Sequence, residues 1–364
     1  MVDYRLEKDG TFVVRDYNQA KPWSSFFPGI AGRWGVPLWA FYVNRGQGVV
    51  SMGIRSKDEA IMEFLPANKA YQLAPTQGFR TFLKIGPASG RVFHELFATP
   101  YAARQAAAQE MRIRPYDLAL VETHPRLGIA AHVEYFTLPE APFAALVRTL
   151  TIRNVSKKTL RLTGLDGLAV ILPHGINNWF LKEMSRTIEA WMTVDGRLPR
   201  VPLFRLVTDP RDTAHVAFIR GANFYTSFEN EGAAAGGIVV DPRLVFGPVT
   251  DLSFPLSFAG PGRFSVPSRP VAQNITPCAF TFFDWALKPG QERRLVSLTG
   301  HVFDVEDGAR AGIGAIDGAF VASKRAANKR ICEEVLARAF TVSNEPVFDR
   351  YAQQTYLDNV LRGG

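Results

Sequence analysis

Turn residues recur so regularly between Thr11 and Trp285 that only short extended segments fit between them. Asp9-Gly10 precedes a run at Thr11–Tyr17, Arg45-Gly46 precedes Gln47–Ile54, and Pro139 closes Val133–Leu138. Leu146–Arg153 places Leu146, Leu150 and Ile152 on one face and Thr149, Thr151 and Arg153 on the other. With Asn154–Lys158 as its turn and Thr159–Leu162 as its return, it predicts a hairpin. Further strands are expected at His215–Arg220, Phe224–Phe228, Cys278–Leu287 and Arg293–His301. With 30 Gly and 24 Pro in the chain, this spacing predicts a mainly β fold, a large antiparallel sandwich.

A chain of 364 residues, 47% hydrophobic and 21% charged, has the make-up of a globular protein with a sizeable core. No run approaches the roughly 18 apolar residues of a membrane span. MVDYRLEKDG has no apolar signal region, so a cytoplasmic location is expected. Cys278 and Cys332 are too few for a disulfide framework or a thiolate metal centre. The net charge of +8 comes from scattered cations; the densest group, Lys324, Arg325, Lys329 and Arg330, reads as a solvated helix face. No nucleic-acid partner follows from it.

Tyr17–Lys84 has the most distinctive composition. It holds Trp23, Trp34 and Trp39 with Phe26, Phe27, Phe41, Tyr42, Tyr71, Phe79 and Phe82. Among them lie Asn18, Gln19, Lys21, Arg33, Asn44, Arg45, Gln47, Asn68, Lys69 and Arg80. Pro22, Pro28, Pro37, Gly29, Gly32, Gly35 and Gly46 break the segment, which excludes a helix running through it. Flat rings beside fixed amide and guanidinium donors suit a sugar, whose C–H faces stack on rings and whose hydroxyls need partners. Aromatics buried as core are the commoner outcome of such a composition.

Helices are expected in three places. Asn178–Met192 sets Trp179, Phe180, Met184, Ile188, Trp191 and Met192 on an apolar face for burial against a sheet. Asp317–Phe340 carries Phe320, Ile331, Val335, Leu336 and Phe340. A last helix begins after Ser343 or Asn344, with Pro346 in its first turn and Phe348, Ala352, Tyr356 and Val360 at four-residue steps. These two terminal helices either fold back on the sandwich or begin a helical domain, and the second is expected. Ala233–Gly237 and Ala259–Arg263 read as loop tips, and Gly312-Ile313-Gly314 as linker.

Catalytic motifs are not legible. His94-Glu95 opens like a zincin, but Ala98 stands where the second histidine would be. His132 and Glu134 share a strand face, where a hydrogen-bonded histidine is commoner than a metal ligand. No nucleophile elbow, P-loop or dinucleotide fingerprint is present. Asp58, Glu59, Glu63, Asp166 and Glu183 could supply a glycosidic acid, with Asp166 in GLDGL reading as a turn residue.

Several segments together resemble a known family: DYNQAKPWSSFFPGIAGRWGVPLWAFYVNRGQ, EFLPANKAYQ, GFRTF, FHELFATPYA, GINNWFLKEMSRTIEAWM, GANFYTSF, NITPCAF and YAQQTYLDNVLRGG. In this order they look like the N-terminal half of 1,2-β-oligoglucan phosphorylases, in the cellobiose-phosphorylase-like group of inverting glycoside phosphorylases. The resemblance implies a galactose-mutarotase-like supersandwich over residues 1–305, a helical linker over 306–342, and in 343–364 the first helix of a truncated (α/α)6 barrel. Such enzymes cleave a β-glucosidic bond with inorganic phosphate as co-substrate and release α-glucose 1-phosphate, without metal or other cofactor. Their general acid and most phosphate contacts lie in the barrel, so no catalytic residue is inherited here and the chain alone is expected to be inactive. The resemblance makes Trp39, Asn44, Arg45, Gln47, Asn68, Lys69 and Arg80 a wall of the glucan site. Implied partners are a β-glucan oligosaccharide, the (α/α)6 catalytic domain in cis or as a separate chain, and a second copy in a homodimer. The alternatives are a non-catalytic carbohydrate-binding module and a mutarotase-like epimerase using His132 or His174.

Overall fold

The computed structural model describes residues 2–27, 34–87, 90–99, 107–198, 200–211, 213–229 and 233–362. Pro28, Gly29, Gly32, Arg33 and Gly363-Gly364, all noted above, lie outside them.

Among the described residues three antiparallel sheets build the fold. The largest is centred on β9 (Ala108–Arg114), β10 (Asp117–His124), β11 (Ile129–Thr137), β12 (Ala144–Asn154), β21 (Glu292–Val302) and β16 (Ala222–Glu229), in that order. The edge beside β9 adds β1 (Asp3–Leu6) and β2 (Phe12–Arg15); the other adds β14 (Met192–Leu198), β15 (Val201–Leu206) and β19 (Ala272–Gln273). The second sheet runs β18 (Ile238–Val239), β20 (Ala279–Leu287), β13 (Leu160–Leu168), β7 (Phe79–Ile85), β8 (Val92–Leu96). The third is β3 (Ser24–Phe26), β4 (Trp39–Val43), β5 (Val49–Gly53) and β6 (Ala60–Met62).

The main core is the sandwich interior. Leu118, Leu120, Val133, Leu146, Leu150 and Ile152 of the large sheet meet Phe79, Leu83, Leu162, Phe283 and Trp285 of the second, and Tyr42 and Met52 of the third. The outer faces are also covered. Helices α2 (Pro242–Phe246) and α3 (Leu256–Ala259) close the second sheet over Phe82, Leu165 and Phe280. Helix α4 (Val305–Arg310), Ile313 and the start of α5 (Gly318–Leu336) cover Phe136, Val147 and Leu298 of the large sheet. The Gly-Ile-Gly segment is therefore anchored, with Ile313 buried in that cluster.

Several expectations are corrected. The segment at Leu146–Leu162 is not a hairpin: β12 pairs with β11 and β21, whereas β13 pairs with β20 and β7. The turn carries the chain from one sheet to the other, as an arch, and the Asn154 amide ties it by donating to the Lys158 and Leu287 carbonyls. Inward burial thus satisfies both strands without their pairing. Asp166 is no turn residue but the fully buried interior of β13. Within Tyr17–Lys84 a short helix does form, α1 (Ala67–Gln77), capped by Pro66 and carrying Pro75 near its end. Asn178–Met192 is a π-helical turn at Phe180–Met184 followed by a 3-10 helix at Ser185–Trp191; Phe180, Ile188 and Met192 are buried, but Trp179 is 59% exposed. His215–Arg220 forms only one bridge, Thr208 to Phe218, and β17 (Ala233–Ala234) pairs with the end of β16 as a short strand.

Helix α5 packs on the large sheet, and the last helix packs on α5. Arg325 of α5 pairs with Glu134, the Asn328 amide donates to the Tyr116 carbonyl at 2.7 Å, and Lys324 donates to the Glu140 carbonyl at 2.5 Å. The basic face read as solvated is in part what clamps α5 to the sheet. Helix α6 (Pro346–Arg362) packs on α5 through Leu357 and Val360 but leaves Val347, Phe348 and Tyr351 exposed. Among the described residues no helix is long and apolar enough to cross a membrane.

Candidate functional site

Strand alternation divides the aromatic stretch into two populations. On β4, Ala40 and Tyr42 point into the core, and Phe27 joins them. Trp39 and Phe41 take the other face. Phe26 pairs with Phe41 across β3 and β4, their rings 4.6 Å apart, and meets Trp39 edge-on at 6.5 Å. Phe64 closes the row, perpendicular to Phe41 at 5.8 Å. Gly53, opposite Trp39, is the floor: a Cβ there would stand 2.8 Å from the Phe64 ring and 2.7 Å from the Glu59 carbonyl oxygen. The result is a platform of four rings on the outer face of the third sheet, with Phe26 43% exposed.

Polar residues flank Phe64 along the chain. Asn68 and Lys69 are exposed in the first turn of α1, which begins directly after the Phe64–Pro66 segment. Glu63 precedes Phe64; burial raises its carboxyl pKa, and the nearby Lys182 ammonium opposes the rise. The remainder of the outer face is closed by α1, whose Ala70 and Ala74 pack on Val43 and Val50.

The other residues expected at a glucan wall hold the framework beneath. Asn44 is fully buried; its amide donates to the Tyr17 and Lys21 carbonyls, and its oxygen accepts from the Trp23 backbone N–H at 2.9 Å. Arg45 donates to the carbonyls of Ala20 at 2.8 Å and Asn44 at 2.6 Å. Gln47 bridges Thr81, at 2.9 Å, and Arg148, at 2.5 Å. Arg80 forms a two-pronged pair with Glu95, at 2.7 and 3.0 Å, and donates to the Leu252 and Ser253 carbonyls. Gln47 and Arg80 together border a cavity of about 170 Å³. Trp39, Asn68 and Lys69 thus reach the surface, whereas Asn44, Arg45, Gln47 and Arg80 are spent on the chain itself. Phe26, Phe41 and Phe64 of the platform were not singled out as site residues from the sequence, although the alternation Trp39-Ala40-Phe41-Tyr42 carried the signal.

The histidines do not form a metal centre: among the described residues no three His, Cys, Asp or Glu side chains are grouped to hold an ion. His94 meets Glu122 at 2.7 Å, and Glu122 also accepts from the Phe97 backbone N–H and the Gln109 amide. His174 and His301 lie against each other, ring centres 4.4 Å apart; burial lowers their pKa values to about 4 and about 2, which keeps both neutral. His132 and Glu134 do share a face of β11, in a cleft beneath α5.

No family model matches the chain, and no curated protein matches it. Solved structures do, and they are carbohydrate-active enzymes at low identity. A polysaccharide lyase is 10% identical with a TM-score of 0.39, over 75% of this chain and 33% of its own. A bacterial glucoamylase complexed with acarbose is 9% identical with a TM-score of 0.41, over 94% and 44%. A protein described as a kojibiose phosphorylase from the human microbiome is 6% identical with a TM-score of 0.31, over 96% and 32%. The chain spans less than half the length of each of these.

Proposed function

We propose that this chain is the carbohydrate-binding and assembly portion of an inverting β-glucan phosphorylase, with β-1,2-linked glucose oligomers as ligand. The observation that carries the sugar reading is the outward row of Phe26, Trp39, Phe41 and Phe64, with Glu63, Asn68 and Lys69 flanking Phe64 along the chain. Rings of this kind cover the apolar faces of successive pyranoses, while amide, ammonium and carboxyl groups serve their hydroxyls. Asn44, Arg45 and Gln47 act from below, by fixing the turn that joins β4 to β5, whereas Arg80 braces the second sheet through Glu95 and the Leu252 and Ser253 carbonyls.

The phosphorylase assignment rests on the sequence resemblance. Under it the three sheets are a galactose-mutarotase-like supersandwich, and the acid that protonates the leaving oxygen belongs to an (α/α)6 domain, in cis or on a separate chain. The exposed Val347, Phe348 and Tyr351 of α6 supply an apolar face for that domain to cover.

Calorimetric titration of the chain with β-1,2-gluco-oligosaccharides tests the binding. Saturable binding that Trp39→Ala and Phe41→Ala each weaken by about tenfold, roughly one lost ring contact, is expected. Absence of binding, or binding indifferent to both substitutions, overturns the reading. The chain alone should release no glucose 1-phosphate from these oligomers and phosphate; robust turnover would place the catalytic acid within it.

A further inference from the structure

One edge of the large sheet is open. Among the described residues β1 has β2 on one side and no strand on the other, and all four of its residues are exposed. Sheet edges are normally blunted by brevity, proline, a bulge or an inward-pointing charge. The opposite edge conforms, since β19 is two residues long and starts two residues after Pro270. β1 has none of the other devices. It lacks proline, pairs with β2 without a register shift, and turns apolar side chains to the interior face.

Register fixes that face. Tyr4 lies opposite Val14 and Leu6 opposite Phe12, and Val14 is buried in the main core. The interior thus continues to the last strand, where Tyr4 is 51%, Leu6 42% and Phe12 37% exposed. The Tyr4 and Phe12 rings stack 6.2 Å apart with 16° between their planes, so the edge presents a flat apolar ledge. Asp3 and Arg5 take the outer face, with Asp3 opposite Arg15 of β2.

This alternation is complementary to itself. Two antiparallel copies of β1 about a two-fold axis at Tyr4 set Tyr4 against Tyr4, Asp3 against Arg5 and Val2 against Leu6. Apolar pairs then fall on the interior face and two ion pairs on the outer one, an arrangement that favours pairing. Other registers fail. An axis at Asp3 opposes two aspartates, and one at Arg5 opposes two arginines and sets Asp3 against Glu7. An axis at Leu6 runs Tyr4 against Lys8 of the turn, and a slip of one residue sets the apolar face against the charged one. Arg5 is held within the chain by Glu7 at 2.8 Å, an exposed pair of the kind that contributes little and is readily exchanged.

We propose that β1 is a self-association surface, on which a second copy of this chain pairs antiparallel, centred on Tyr4, and joins the two large sheets into one. The proposal does not draw on the sugar reading, which concerns a different sheet.

Sedimentation equilibrium of the chain from about 1 to about 200 µM is the test. A monomer–dimer equilibrium with a Kd of about 10 µM is expected, because one strand pair is a small interface. Asp3→Arg and Arg5→Asp each set like charges across the axis and should weaken association by about tenfold. An equimolar mixture of the two variants should regain it, since one then presents only arginines where the other presents only aspartates. Tyr4→Cys, on an otherwise unmodified chain, should form a disulfide across the axis under oxidation, with the native Cys278 and Cys332 buried out of reach. A wild type that stays monomeric to about 200 µM overturns the proposal. So does a dimer that both charge reversals leave intact, that the mixture does not restore, or that Tyr4→Cys does not cross-link.

Discussion

Arg148 and Asp166 meet inside the sandwich, on the two strands of one arch, each enclosed to within 1% of its side-chain surface. Tyr135 and Gln47 accept from the guanidinium, and Thr81 donates to the carboxylate at 2.6 Å. An ion pair out of water is held by its geometry and its extra hydrogen bonds, and removing one partner leaves a charge stranded. Arg148→Met or Asp166→Leu alone should therefore cost about 3–5 kcal/mol in denaturant unfolding. The double substitution should be less damaging than the sum of the two. Additive losses would mean that the two residues act separately.

Asp117 sits beneath α5 with Arg114 on one of its oxygens, at 2.6 Å, and no partner on the other. Burial is the main cause that raises its pKa to about 6; Arg114 opposes the rise and Glu134 adds to it. A folded pKa above the unfolded value contributes stability that is present at low pH and lost as pH rises through about 6. Wild type compared with Asp117→Asn should thus lose relative stability between pH 5 and pH 7. A difference independent of pH would refute the assignment.

Gly53→Ala probes the platform from below. The added methyl meets both the Phe64 ring and the Glu59 carbonyl closer than atoms normally approach. Overpacking of this kind costs about 1–3 kcal/mol. Oligosaccharide affinity should fall as Phe64 is displaced, whereas Gly290→Ala, at an exposed turn, should leave affinity unchanged.

Amide exchange should separate the two terminal helices. Helix α5 buries Val321, Asn328, Ile331, Cys332 and Val335, whereas among the described side chains of α6 Leu357 alone is buried. Exchange in α6 is expected to be the faster, and Glu134→Gln, which weakens the Arg325 clamp, should accelerate α5. Equal protection of both helices would contradict this hierarchy.

What the sequence made legible follows from which signals are local. Strand positions at Val133–Leu138, Phe224–Phe228 and Arg293–His301 rest on alternation within a few residues, and strands occur there. Which strands pair is not local. The Asn154–Lys158 turn looks the same whether its strands bond to each other or to neighbours in two sheets, so the arch was hidden. Arg148 shares the parity of Leu146, Leu150 and Ile152, yet an arginine there is intelligible only once Asp166 is seen opposite. At the candidate site the ring-rich composition was visible, but the facing of each ring depended on recognising β3 and β4 among the prolines. The framework roles of Asn44 and Arg80 depend on carbonyls distant in sequence, such as Tyr17 and Leu252, which no spacing rule reveals.

The alternation along β4 also has an evolutionary consequence. Ala40 and Tyr42 answer to the hydrophobic interior, while half-buried Trp39 and Phe41 pack on Phe26 and Phe64 of the outer face. Exchanging an outward ring for another side chain leaves interior packing untouched, so new ligand preferences can be sampled here at little risk to folding.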